Sequence, residues 1–248
     1  MSNLNKPSVT IDHFIQNVFQ PDPKPVFFWD SCSILDILRL PYRKGTLDTL
    51  KAYLAIKALT DAGAIYSVCS ALTIIEWNDH FAHTLDETQR NLDMTSFFHK
   101  NSVDMINHIF STTYTSVHIG DKGLSAELET IADSIIQDCY FLGTDEIAPS
   151  ALARVAAKKP PAGKKPEFKD CAIWETVLEV ANDIKGTGNR TVFFSVNTED
   201  YVNKGRTPNI IHDNINSEAV IYSIDIALDC QDALVKISAA LPPPIPAA

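Results

Sequence analysis

Three short apolar runs dominate what this chain can fold into. "PVFFWD" at 25–30, "AIYSVC" at 64–69 and "TVFFSV" at 191–196 are predominantly hydrophobic rather than alternating. A strand that is apolar at successive positions has both faces covered, which is the condition of a parallel sheet. The segments between the runs carry helical patterns. "SILDILRL" is stopped by Pro41, and Thr46–Gly63 is amphipathic with a glycine at its end. Helical pattern resumes near 70–85, continues from about 87 to 139 with a break at "TSVHIGDKG", and returns near 145–157. Another helix is expected from Asp170, where Cys171, Ala172, Trp174, Val177, Leu178 and Ala181 form an apolar stripe. "AVIYSIDIAL" reads as a fourth strand, followed by a short helix near 231–239 and a disordered-looking tail, "LPPPIPAA". Strands alternating with helices predict an α/β fold on a parallel sheet. One domain accommodates this order: a core over 25–205, a helical insertion over 86–145 and a strand–helix extension over 206–240.

With 45% hydrophobic residues among 248, the chain has enough apolar mass for a sizeable core. No apolar run reaches the roughly 18 residues a membrane helix needs. The N-terminal stretch "MSNLNKPSVTIDHFIQNVF" lacks the pattern of a signal peptide, so a cytoplasmic protein is expected. Five scattered cysteines without a CxxC pair read as buried thiols of a reducing compartment. A net charge of −10 argues against a general polyanion binder, so any nucleic-acid contact has to be local.

In an open parallel sheet, ligands sit at the carboxyl ends of the strands. Asp30 closes the first strand, Glu76 lies on the helix after the second, and Asn197, Glu199 and Asp200 follow "TVFFSV". Asp170 at a helix start has two readings, as an N-terminal cap or as a carboxylate held at the edge of a site. Hard oxygen ligands on one sheet edge suit Mg²⁺ or Mn²⁺, since like charges packed together are costly without a cation between them.

"FFWDSCSILDIL", "LTIIEW", "KKPEFKDCAIWETVLEVA" and "FFSVNTEDY", in that order, resemble the motifs of PIN-like nucleases. The similarity is greatest to the larger branch in which the third-motif Asp is followed by "IWE", and it covers about 25–205. The resemblance implies a three-layer α/β/α sandwich with a mainly parallel sheet, an acidic pocket for one or two Mg²⁺ or Mn²⁺ ions, and cleavage of phosphodiester bonds, usually in RNA. It places Asp30, Glu76 and Asp170 at the acidic positions of the first three motifs. The fourth departs from the common pattern, because Asn197 stands two residues after Ser195 where many relatives carry Asp. Asp200 is the nearest Asp, one helical turn later.

On this reading Asp30 and Asp170 bind the main ion, and Glu76 completes its shell or orients the water. Asp200 and Asn197 support a second position, which loss of a charge at Asn197 weakens. Ser195 either hydrogen-bonds a carboxylate or ends its strand; it joins the nucleic-acid contacts expected of Lys158, Lys159, Lys164, Lys165 and Lys169. That lysine cluster, with Arg154 upstream, is either a solvated loop or a local phosphate-binding patch. His80 and His83 could make a zinc site with Glu76, but HEXXH spacing is absent. Trp77 and Trp174 are read as core, Asp36 and Asp138 as exposed helix residues, and "GTG" at 186–188 as a helix stop. Competing readings are a degenerate domain that binds RNA or a protein without cutting, and a metal-dependent phosphatase. An antitoxin-like inhibitor, DNA as an alternative substrate and a homo-oligomer stay open.

Overall fold

A computed structural model describes residues 4–43, 45–162, 167–203 and 210–243. The N-terminal segment makes a short helix α1 (Ile11–Phe14), capped by the Thr10 hydroxyl, that runs into a π-helical turn. Strand β1 (Val26–Trp29) leads directly into α2 (Ser31–Arg39) and then α3 (Leu47–Asp61). Thr46 and Thr49 form a reciprocal capping pair at the start of α3. Gly63, at φ +64°, ends the helix in the left-handed conformation that glycine adopts without a Cβ clash. Strand β2 (Tyr66–Ser70) precedes a 39-residue helix α4 (Leu72–Phe110). Then come α5 (Leu124–Asp138), β3 (Tyr140–Leu142), α6 (Ala148–Ala156), α7 (Phe168–Ile184) and β4 (Thr191–Phe194). A one-turn helix α8 (Thr198–Tyr201) and the ribbon β5 (Val202–Asn203)–β6 (Ile210–Ile211) follow. Helix α9 (Asp213–Tyr222), β7 (Ile224–Ala227) and α10 (Cys230–Ala240) complete the described chain.

The five central strands are all parallel, in the order β3-β2-β1-β4-β7. Alternate residues of each strand feed separate cores. Phe27, Trp29, Val192 and Phe194 pack with α2, α3, α5, α10 and the start of α4. Val26, Phe28 and Phe193 pack on the other face with α1, α7 and α9. This is the three-layer α/β/α sandwich, and it explains why the strands are buried at nearly every position. The chain builds from β1 to β2 and β3 on one side, then returns to add β4 and β7 on the other. The order therefore reverses between β1 and β4, the place where such sheets hold ligands.

Several sequence expectations are corrected. β3 sits inside the stretch expected to be a helical insertion, as the sheet edge beside β2. At three residues, it is too short to show a pattern. "AVIYSIDIAL" is divided: Ala219–Tyr222 end α9, and only Ile224–Ala227 form a strand. Ser223, at φ 58°, makes the break. The β-branched run looked like one strand because Val220 and Ile221 are apolar yet exposed on the helix. The segment 206–240 is not merely an appendage, since β7 is hydrogen-bonded into the central sheet. Asp36 is only partly exposed, facing Arg43, and its carboxyl is shifted upward by burial. Most of the expected tail lies outside the described residues.

Candidate active site

Asp30 is buried immediately after β1, at the reversal of strand order. Its Oδ2 accepts a hydrogen bond from the Ser195 hydroxyl (2.5 Å) and one from the Cys32 thiol (2.9 Å). Ser31 donates from 3.4 Å to Oδ1 and also lies in hydrogen-bonding contact with Oε2 of Glu76. Burial pushes the Asp30 carboxyl up, and the Cys32, Ser195 and Ser31 hydrogen bonds offset part of the rise. Glu76, in the second turn of α4, is likewise raised, first by burial; Asp30 adds to the rise, while Ser31, Lys169 and His80 oppose it.

Asp170 is the third residue of α7, not its cap; Glu167 holds that position, without a capping side-chain hydrogen bond. The capping explanation of Asp170 therefore fails. Its carboxyl is pushed up to about 8, first by burial and then by Asp30, Asp200, Glu76 and Glu167. Among the described residues no hydrogen bond reaches it. A half-buried carboxylate facing other carboxylates without a donor is an unbalanced charge, and such groups cluster at functional sites.

The fourth motif is organised differently from the sequence reading. The Asn197 Oδ1 accepts from the backbone of Glu199 (3.2 Å) and so caps α8, while its Nδ2 donates to Asp200 Oδ2 (2.7 Å). Its amide thus positions Asp200 instead of offering a free oxygen. Ser195 is fully buried, so it is a hydrogen-bond donor to Asp30 and not a nucleic-acid contact. Tyr201 was missed. Its ring packs on Phe193 and Trp174, and its hydroxyl is buried without a partner among the described residues. Burial, then Asp30, Asp170, Cys32 and Asp200, hold the phenol protonated. The Cys32 thiol is raised well above its ordinary value by burial and by Asp30.

The basic cluster is also divided. Arg154 is only 4% exposed. It donates to Glu175 (2.5 Å), to the Pro160 carbonyl (2.5 Å) and to Glu218 (2.9 Å). Glu218 also receives Lys159 and the Trp174 indole N–H (2.8 Å). The "IWE" residues Trp174 and Glu175 thus belong to a partly buried ion network around Arg154 that ties α7 to α6 and α9. Arg154 and Lys159 are committed to it and do not form a phosphate patch. Lys158 is exposed at φ 50°. Lys169 stands 3.9 Å from Glu76 and 3.8 Å from Asp79, at the acidic cluster itself. Lys164 and Lys165 lie outside the described residues.

The donor set suits a hard divalent cation in chemistry and in charge: Asp30, Glu76, Asp170 and Asp200 interact electrostatically around Asp170, and Asp30, Asp170 and Asp200 also act on the Tyr201 hydroxyl, which has no partner among the described residues. With the side chains as they stand, no three His, Cys, Asp or Glu among the described residues enclose a single ion position. Asp30 and Glu76 are turned onto hydroxyl donors instead. Among the described residues, no helix is long and apolar enough to cross a membrane. No curated protein sequence and no solved structure matches the chain. A family model described as PIN domain matches residues 28–201. That span begins inside β1, ends at Tyr201 and includes every carboxylate of the cluster, so the chain belongs to the PIN domain family.

Proposed function

We propose that this PIN domain is a Mg²⁺- or Mn²⁺-dependent endoribonuclease that hydrolyses phosphodiester bonds in single-stranded or structured RNA. PIN domains are typically metal-dependent nucleases. The observation that carries the reading is Asp170, a half-buried carboxylate that no hydrogen-bond donor reaches among the described residues, raised to about 8 by burial and by the carboxylates around it. Asp30, Glu76, Asp170 and Asp200 are the residues that would hold the cation. When bound, a divalent cation neutralises the charge developing on phosphate oxygens and acidifies water. The chain's own residues prepare the place. Ser195, Ser31 and Cys32 fix the orientation of Asp30, Asn197 fixes Asp200, and Lys169 brings a cation toward Glu76. Lys158, Lys164, Lys165 and Lys169 would supply the local positive potential for RNA phosphates that the net charge of −10 denies to the rest of the surface.

A second reading rests on Asn197. With its amide committed to a cap and to Asp200, the fourth motif offers one carboxylate fewer than a D-containing motif. A domain with this gap could bind RNA or a protein without cutting. Cleavage of labelled single-stranded RNA, with DNA in parallel, decides between them. Wild type and Asp170→Asn are compared in Mn²⁺, Mg²⁺ and EDTA. Metal-dependent internal cleavage that disappears in the variant supports the nuclease. A folded wild type that binds RNA but leaves it intact under every condition favours the second reading.

A further inference from the structure

Helix α4 is far longer than the domain requires. Its 39 residues span about 58 Å, and a helix about half that length already crosses a small domain. The first part of α4 packs into the core through Trp77. Along the distal half, one face is covered by the returning chain. Leu92, Ser96 and Val103 are buried there, and the Ser96 hydroxyl accepts from the backbone of Ile119 (2.9 Å) and Gly120 (3.1 Å). The opposite face is bare. Met94, Phe98, Met105 and Ile109 are 55%, 60%, 59% and 68% exposed. At about 100° per residue they fall within roughly 60° of one another, a single stripe along the helix. Phe97, also 60% exposed, widens it.

The stripe is symmetric about its own middle. The steps from Met94 to Phe98, to Met105 and to Ile109 read the same in both directions. The centre falls between Asn101 and Ser102. Turned about that point, Met94 meets Ile109, Phe97 meets Ile106 and Phe98 meets Met105, so apolar residues meet apolar ones. Thr95 meets His108 and Asn101 meets Ser102, so polar residues meet polar ones. Lys100 and Asp104 pair with each other at 2.6 Å to the side of the stripe, so the contact face itself carries no charge. A two-fold interface needs a surface complementary to itself, and this face has one. Each exposed side chain on the stripe offers on the order of 100 Å². Five of them give about 500 Å² per partner, the size of the smaller, weaker specific interfaces.

We propose that the distal half of α4 is a homodimerisation surface, on which a second copy of this chain packs antiparallel about a two-fold axis at Asn101–Ser102. Sedimentation of the full chain at tens of micromolar tests it. Wild type is expected to be a dimer, and Phe98→Glu with Met105→Glu a monomer with an unchanged circular dichroism spectrum. Cysteine cross-linking tests the geometry without disturbing the stripe. Asn101→Cys lies near the axis and is expected to form an intermolecular disulfide with itself. Met94→Cys is expected not to, because the two copies of position 94 are about 22 Å apart along the axis. A wild type that stays monomeric overturns the proposal, and one that floats with neutral phosphatidylcholine vesicles would assign the stripe to lipid instead. Self-cross-linking at Met94→Cys, or a charged double variant that remains dimeric, also overturns it.

Discussion

Replacing Asp170 by Asn should abolish cleavage and, without metal, make the protein more stable as pH rises. The carboxyl is moved from 3.8 to about 8 in the folded protein, first by burial and then by the surrounding carboxylates. Because the folded value is raised, the protonated form is the one that folding favours. Its contribution is present in full below about 3.8 and is lost as pH climbs toward 8. Each unit corresponds to about 1.4 kcal/mol, so the whole shift sets an upper bound of about 6 kcal/mol. Asp170 keeps some contact with water, and screening brings a realistic figure down to ~2 kcal/mol. For a chain of this size that is a gain of about 4–8 °C in Tm. Asn presents the neutral side chain at every pH, so the variant should lose the slope. The assay is thermal unfolding of both proteins in EDTA from pH 5 to pH 9, repeated with Mn²⁺. In EDTA the curves should approach each other at the acid end and separate toward pH 8, with the variant higher. Mn²⁺ should raise the Tm of wild type and leave the variant nearly unchanged. Parallel pH profiles in chelator would refute the argument, because Asp170 would then carry no uncompensated charge.

Arg154→Leu leaves Glu175 and Glu218 without their buried cation and should cost ~3 kcal/mol, a fall of about 6–12 °C in Tm at pH 7. Burial tends to raise the Glu218 carboxyl, but hydrogen bonds from Arg154, Lys159 and Trp174 hold it below the ordinary 4.5. Its stabilisation is therefore present above 4.5 and lost at lower pH, so the deficit of the variant should shrink as the solution is acidified; a constant deficit would place the cost elsewhere. Asn197→Asp keeps an α8 cap of equal quality, so the fold should hold, while the added carboxylate near Asp200 should enlarge the Tm gain produced by Mn²⁺; an unchanged gain would remove that position from the metal site. Neutralising Lys164 and Lys165 together should weaken RNA binding and lower its salt dependence by roughly two units of slope; equal affinity across a salt titration would leave these lysines as a solvated loop.

The three apolar runs marked the centre of the sheet, because a strand buried on both faces is mostly apolar at successive positions, and β1, β2 and β4 all lie where those runs stand. Asp30 and Glu76 were legible for a related reason: a parallel sheet presents its strand ends on one edge, so an acid just beyond an apolar run is placed there by topology alone. Other features depended on partners far away in sequence. Arg154 read as one more cation in a basic stretch, and only the approach of Glu218 from α9, 64 residues on, makes it a buried structural ion. Ser195 reached its role through Asp30, 165 residues earlier, and Tyr201 through the fold of α8 against α7. Asn197 was visible as a missing charge, but its work as a cap and as a clamp on Asp200 depends on how α8 is oriented. β3 is three residues long and gains its identity solely from pairing with β2. Local periodicity and the ends of strands are properties a chain carries within a few residues, so the sequence determined the layers and the acidic edge. Which charges are balanced, which are buried and which are left unpaired depends on contacts between distant segments, and that was decided by the tertiary structure.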